Sequence, residues 1–338
     1  MKRFSWLTRF LPDRFIVALL GAITLASFLP IHGTAAVYYD YLTNAAIALL
    51  FFLHGAKLSR DAIYAGATNW RLHICVLAST FVLFPLIGLA AQPLLGAWLT
   101  PELLAGVLFL CLLPSTVQSS IAFTSVARGN IPGAVCSASL SNLLGVFITP
   151  LLAGVLISSQ SISGGGSLNA VVDILLKILL PFVVGQIARR WVGEWISAHP
   201  KVVKFVDQGS IVLVVYGAFS ASVVEGMWQR MPLSALAVIA LVCVVLLAIV
   251  MGVTFAVGRR FFAREDEIVL LFCGSKKSLA SGIPMAKVLF AGSALGSAVL
   301  PLMLFHQLQL IVCAFIAARY GRAADAVAAQ GAQAPASR

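Results

Sequence analysis

Charge is what this chain has least of. Only 10% of its 338 residues are Asp, Glu, Lys or Arg, and 12 of those are acidic. Water-soluble proteins carry about 25%, which excludes a soluble globular fold. The 60% of hydrophobic residues point instead to one polytopic membrane domain. A cysteine framework is also missing. Cys75, Cys111, Cys136, Cys243, Cys273 and Cys313 stand singly in apolar runs with no CxxC pair, so neither a zinc site nor a disulfide scaffold is expected. They read as small apolar side chains in helices. No small-residue cleavage site follows the basic opening MKRFSWLTRFLPDR, so residues 1–14 are expected to stay as a cytoplasmic N-terminus. The closing GRAADAVAAQGAQAPASR is small and polar and predicts a disordered cytoplasmic tail over 321–338.

What the chain does have is long apolar runs. A bilayer core about 30 Å thick needs roughly 20 apolar residues per helix. Ten candidate spans satisfy this, near 15–31, 42–57, 73–93, 103–126, 132–157, 169–188, 209–225, 233–257, 267–289 and 294–318. Basic residues test the count. With the N-terminus inside, Lys2, Arg3, Arg60, Arg71, Arg128, Arg189, Arg190, Arg259, Arg260, Arg319 and Arg322 all fall on one side, and the opposite side receives only Arg230. The net charge of +11 is therefore a topology signal and not a nucleic-acid surface. Both ends are expected in the cytoplasm, with the protein in the plasma (bacterial inner) membrane.

Ten spans divide into two sets of five, about 15–157 and 169–318, within a transporter domain over 15–320. An odd number per half forces opposite orientations, the arithmetic of an inverted repeat. The Gly/Ser-rich stretch 158–168 is the natural joint. The fold class predicted is all-α.

The fourth and ninth spans occupy matching positions and are both interrupted. The fourth contains Pro114 followed by Ser115, Thr116, Gln118, Ser119, Ser120 and Thr124. The ninth reads CGSKKSLASGIP, with Gly274, Ser275, Lys276, Lys277 and Ser278 followed by Gly282 and Pro284. Each polar residue alone reads as helix–helix glue. Clustered at a break in both halves, they point to a substrate or ion site, because broken helices expose backbone groups that bind ions. Lys276 and Lys277 are the sharpest signal, since a lysine within a span costs several kcal/mol. They lie roughly 13 Å along the helix from Glu267, too deep to snorkel easily. Neighbours on a helix point about 100° apart, so one lysine can face a cavity and the other a neighbouring helix. No carboxylate lies at that depth, so one of the two is expected to be neutral at rest. The fifth span adds Ser137 and Ser141 on one face, then Asn142, as helix glue or ion ligands. The tenth adds His306, placed to orient the ninth, and Gln307. His54 and His73 flank a loop and read as interfacial.

On the segments LPSTVQSSIAFTSVARGN (113–130), FCGSKKSLASGIPMAK (272–287) and FHQ (305–307), the chain resembles the bile acid:sodium symporter superfamily, in its SBF-like branch. The resemblance spans nearly the whole chain. It implies a panel domain and a core domain, the core made of helices 3–5 and 8–10 with helices 4 and 9 broken and crossing, and transport by rocking of one domain against the other. In the bile acid branch it also implies two sodium ions behind the crossover. This chain departs from that pattern. The Ser-Asn pair of the fourth helix falls at Ser119 and Ser120, the third-helix Gln at Thr80, the ninth-helix Glu at Phe272 and its Gln at Lys276. A lysine so placed would replace or exclude the ion.

The main functional expectation is a secondary transporter of a small, amphipathic organic anion, with Lys276 or Lys277 as a tethered cation. No metal or organic cofactor is expected beyond a coupling ion, a proton or a sodium ion near Ser119, Ser120 and Lys276. The partners expected are the lipid bilayer and the solute, with no nucleic acid. The competing readings are a sodium-coupled symporter of the bile acid type, a non-transporting regulator of ion homeostasis, and an intramembrane Ser–Lys hydrolase pairing Lys277 with Ser281.

Overall fold

The computed structural model describes residues 14–57, 69–157, 168–224, 226, 233–290 and 294–333. The N-terminal basic segment before Arg14, Arg60, the joint at 158–167 and Arg230 lie outside the described residues. Within them the chain is helical and has no strand. The helices are α1 (Arg14–Phe28), α2 (Thr34–Lys57), α3 (Trp70–Leu95), α4 (Pro101–Leu112), α5 (Gln118–Val126), α6 (Ile131–Leu156), α7 (Leu168–Ala198), α8 (Pro200–Val224), α9 (Leu233–Phe261), α10 (Arg264–Gly274), α11 (Leu279–Leu289) and α12 (Ala294–Gln333).

Six of these, α2, α3, α6, α8, α9 and α12, are long and apolar enough to cross a membrane. Their outer faces carry Tyr41, Leu241, Val244 and Phe315, each 48% or more exposed, which only a lipid environment tolerates at this density. The chain is an integral membrane protein. Helix α12 continues through Gly321 to Gln333, into the segment expected to be a tail. Ala323, Ala324, Ala326, Ala328 and Ala329 explain this, since alanine has the highest helix propensity.

Contacts divide the chain into two units, and each has its own packing. The first comprises residues 1–57, 180–231 and 290–297. Here α2 and α7 approach through small residues, as membrane helices must when lipid gives no hydrophobic drive. A Cβ on Gly55 would sit 2.0 Å from the Phe182 carbonyl oxygen, and one on Gly185 2.0 Å from that of Phe52. Tyr39 Oη donates to Leu213 O at 2.8 Å and Tyr216 Oη to Leu29 O at 2.7 Å. Lys57 pairs with Asp207 near one end of this unit.

The second unit comprises residues 58–179, 232–289 and 298–338 and contains every candidate site residue. Leu72 and Val76 of α3, Ala134 and Ala138 of α6, and Val269, Leu270 and Cys273 of α10 form one buried cluster. At its polar end the Asp266 carboxylate accepts from Asn69 Nδ2 and Asn130 Nδ2, both at 2.8 Å. Asn130 also caps α6, its Oδ1 accepting from Gly133 N at 2.9 Å. These bonds fix the starts of α3 and α6 against α10 and set the depth at which the two breaks meet.

Candidate functional site

The first break follows from Pro114. It lacks an N–H, so Leu110 O bonds Leu113 N instead, at 3.4 Å, and the helix ends at Leu112. Residues 113–117 are non-helical until α5 begins at Gln118. An added Cβ on Gly145 of α6 would lie 2.6 Å from the Pro114 side chain, so only glycine there admits the kinked segment. Ser115 N donates to Ser141 Oγ at 3.1 Å rather than to Cys111 O. Thr149 Oγ1 donates to Leu112 O at 2.8 Å. The carbonyls of Cys111 and Leu113 are left over.

A third carbonyl is freed in α3. Residues Ser79–Leu83 form a π-turn, in which Phe84 N bonds Ser79 O instead of Thr80 O. The next donor in line would be residue 85, which is proline and has none. Thr80 O therefore has no helical partner. The Thr80 hydroxyl bonds back to Val76 O at 2.7 Å.

The second break ends α10 at Gly274, and α11 starts at Leu279. The last four carbonyls of a helix lack intrahelical donors. Here each finds a hydroxyl. Ser275 Oγ donates to Leu271 O (2.5 Å), Ser120 Oγ to Phe272 O (3.2 Å), Ser115 Oγ to Cys273 O (2.6 Å) and Ser79 Oγ to Gly274 O (2.8 Å). The two breaks touch directly: Ser278 N donates to Pro114 O at 2.8 Å. An added Cβ on Gly282 would come within 2.5 Å of Leu113, so the crossing is close at the side chains too.

Between the breaks lie the two lysines, both fully buried and differently satisfied. Lys277 Nζ donates to Thr80 O (2.8 Å), Cys111 O (2.8 Å) and Leu113 O (2.7 Å), and stands 4.0 Å from the Phe84 ring centroid. Three carbonyls can only accept, which matches the three donors of a lysine ammonium. Its backbone is held by Gln309, whose Oε1 accepts from Lys277 N and whose Nε2 donates to Lys277 O, both at 2.9 Å. That peptide fixes the amide's orientation. His306 Nδ1, 2.9 Å from Gln309 Nε2, is thereby the acceptor. Among the described residues, Lys276 Nζ has one polar contact, a long one of 3.5 Å to Ser119 Oγ. Aromatic faces supply the rest, Phe123 at 4.0 Å and Phe272 at 5.6 Å, a cation–π setting. Ser119 Oγ in turn meets Thr116 Oγ1 at 2.8 Å, and Thr116 meets Ser120 Oγ at 3.0 Å.

The residues singled out in the sequence mostly converge here, with five corrections. Thr80 contributes its carbonyl and not its side chain. His73, read as interfacial, is 4% exposed and bonds Ser137 Oγ at 2.7 Å, so it is packed inside the protein and takes up Ser137. Gln118 is exposed where α5 begins. Gln307 Oε1 is buried without a partner, and the working glutamine is Gln309, two residues on. The Lys277–Ser281 dyad does not form: Ser281 Oγ donates to Asn142 Oδ1 at 2.8 Å, and Lys277 is taken up by carbonyls. Thr124 is buried with its hydroxyl unpartnered. Ser79 and Phe123 were not singled out in the sequence. Among the described residues no cluster of three His, Cys, Asp or Glu side chains could hold a metal ion.

An apolar helical unit in which two interrupted helices meet around buried lysines is the build of a membrane transporter. The chain belongs to the SBF-like CPA transporter family, whose model matches residues 13–322. It is 58% identical over 328 residues to the Pseudomonas aeruginosa protein called "Uncharacterized protein PA2026", covering 97% of this chain and 98% of the relative. It is 52% identical over 324 residues to "Putative symporter YfeH" of Escherichia coli, covering 94% and 96%. It is 26% identical over 305 residues to "Sodium/bile acid cotransporter 7" of Danio rerio, covering 88% and 90%. The family is one of transporters and not of enzymes, which closes the hydrolase reading.

Proposed function

We propose that the chain is a secondary transporter that carries a small organic anion by alternating access, with Lys276 as the tethered cation of the solute site. One observation carries this reading. Lys276 is fully buried, its one polar contact among the described residues is a hydroxyl 3.5 Å away, and it stands at the meeting point of two broken helices. Lys277 beside it has all three of its donors engaged. A buried ammonium with spare donors suits a carboxylate or sulfonate, and Ser119, Thr116 and Phe123 supply polar and apolar contacts for an amphipathic solute. On the return step a proton leaving Lys276 would compensate the missing anion. Coupling is then by proton or by the lysine itself rather than by two sodium ions.

The architecture that goes with this is a panel and a core, supported by the chain's two compact units. Reading each broken pair, α4 with α5 and α10 with α11, as one span gives ten. Two inverted sets of five place both ends on the cytoplasmic side of a bacterial inner membrane. Serine and carbonyl-rich breaks in matched positions, and the lopsided distribution of basic residues, support that arrangement.

The names of the vertebrate relatives favour a second reading, sodium-coupled symport. Proteoliposome flux separates the two. Uptake of taurocholate and of simpler alkyl sulfonates should depend on the pH gradient, proceed with choline in place of sodium, and be lost in Lys276→Gln. Uptake that requires sodium and survives Lys276→Gln with its pH dependence intact sinks the lysine mechanism.

A further inference from the structure

We infer that the carbonyls of Thr80, Cys111 and Leu113 form a binding cage for a monovalent cation, and that Lys277 fills it with a cation carried by the chain itself. The cage is built by two prolines. Pro85 and the π-turn before it strip Thr80 O of its helical donor. Pro114 ends α4 and leaves Cys111 O and Leu113 O without theirs. All three oxygens belong to peptide groups, so no side-chain substitution of the contributing residues changes the ligand type. They converge on one point, where Lys277 Nζ sits 2.8, 2.8 and 2.7 Å away. The end of α4 adds the negative pole of a helix dipole, and the Phe84 face 4.0 Å away closes the side left open.

Backbone oxygens at a helix break are the ligands that transporters offer to coupling cations. What differs here is that the cation cannot leave. Gln309 grips both backbone groups of Lys277, which anchors the side chain's root as firmly as the carbonyls anchor its tip. The two adjacent lysines therefore divide the work. Lys277 supplies the positive charge that holds the crossover together, and Lys276 is the one left free for solute or proton. The geometry stands without the transport reading, and only the division of labour rests on it. The test therefore reads binding and not flux, so the two can fail separately.

Thermal unfolding of the purified full-length protein in detergent tests the cage. Lys277→Ala, purified throughout in n-propylammonium chloride, should fold, and should lose about 5 °C or more when the salt is exchanged for choline chloride. Its midpoint should climb again with the logarithm of n-propylammonium concentration, and equal n-propanol should not restore it. Lys277→Met, which fills the same channel without a charge, should also unfold earlier than the wild type. The inference is overturned if n-propanol restores Lys277→Ala as well as the alkylammonium does, if Lys277→Met matches the wild type, or if Lys277→Ala cannot be folded in n-propylammonium.

Discussion

The two helix breaks solve the same problem with different chemistry. Each ends a helix inside an apolar unit and must satisfy carbonyls that water cannot reach. At Gly274 the carbonyls of Leu271, Phe272, Cys273 and Gly274 each meet a different hydroxyl, from α3, from the first break, from α5 and from the second break itself. At Leu112 one hydroxyl and one ammonium do the work, and the ammonium takes two carbonyls at once. The first solution is distributed, so losing one member leaves the others in place. The second is concentrated, so everything depends on where one nitrogen is held. The comparison teaches that pseudo-symmetric breaks need not be functionally equivalent. The concentrated one makes a point of positive charge, and the distributed one makes a neutral, hydroxyl-lined wall beside it.

The largest expected effect that would break this comparison is Gln309→Leu. It removes both bonds to the Lys277 peptide, leaving a buried N–H and C=O unpaired, and should destabilise by about 2–5 kcal/mol, read as an earlier thermal midpoint. A loss no greater than for a single hydroxyl would mean that the second break does not depend on that grip. Ser115→Ala should cost less, on the order of 1–2 kcal/mol. Its hydroxyl bonds Cys273 O at 2.6 Å, and Ser79→Ala should fall in the same range. Ser120→Ala should cost least, about 0.5 kcal/mol, because its bond to Phe272 O is long at 3.2 Å. Adding Ser120→Ala to Ser115→Ala should then sharpen the picture. A distributed cap gives roughly additive losses, and a loss as large as that of Gln309→Leu from either serine alone would contradict it.

Much of this site was legible in the sequence, for reasons that are physical. Proline, glycine and lysine are costly inside an apolar helix, so Pro114, Gly274, Lys276 and Lys277 stand out against their surroundings. What the side-chain pattern could not reveal was the part played by the backbone. Thr80 drew attention as the position of the family's third-helix Gln, yet its carbonyl meets Lys277, and the signal for that was Pro85 five residues on. Gln309 stands in the same apolar run as Gln307, and the side-chain pattern alone does not tell which of the two meets the second break. Its position three residues after His306 places both on one face of α12, which was the available hint. His73 looked interfacial from its place near a helix start, but burial depends on α6 packing over it, and that is a tertiary fact. The continuation of α12 was hidden by small polar residues that suggest a tail while alanines among them sustain a helix.

The sequence distances in the Lys277 cage bear on how such a protein is made. The Thr80 carbonyl precedes its partner by 197 residues, Cys111 by 166 and Leu113 by 164. A ribosome therefore delivers the oxygens long before the nitrogen. In the interval the nascent first half carries bare polar backbone that the hydrocarbon cannot satisfy. The early helices must wait near water, or near the insertion machinery, until the lysine arrives. The cage is thus completed late: Lys277 follows all three oxygens, and Gln309, which grips its peptide, follows 32 residues later still.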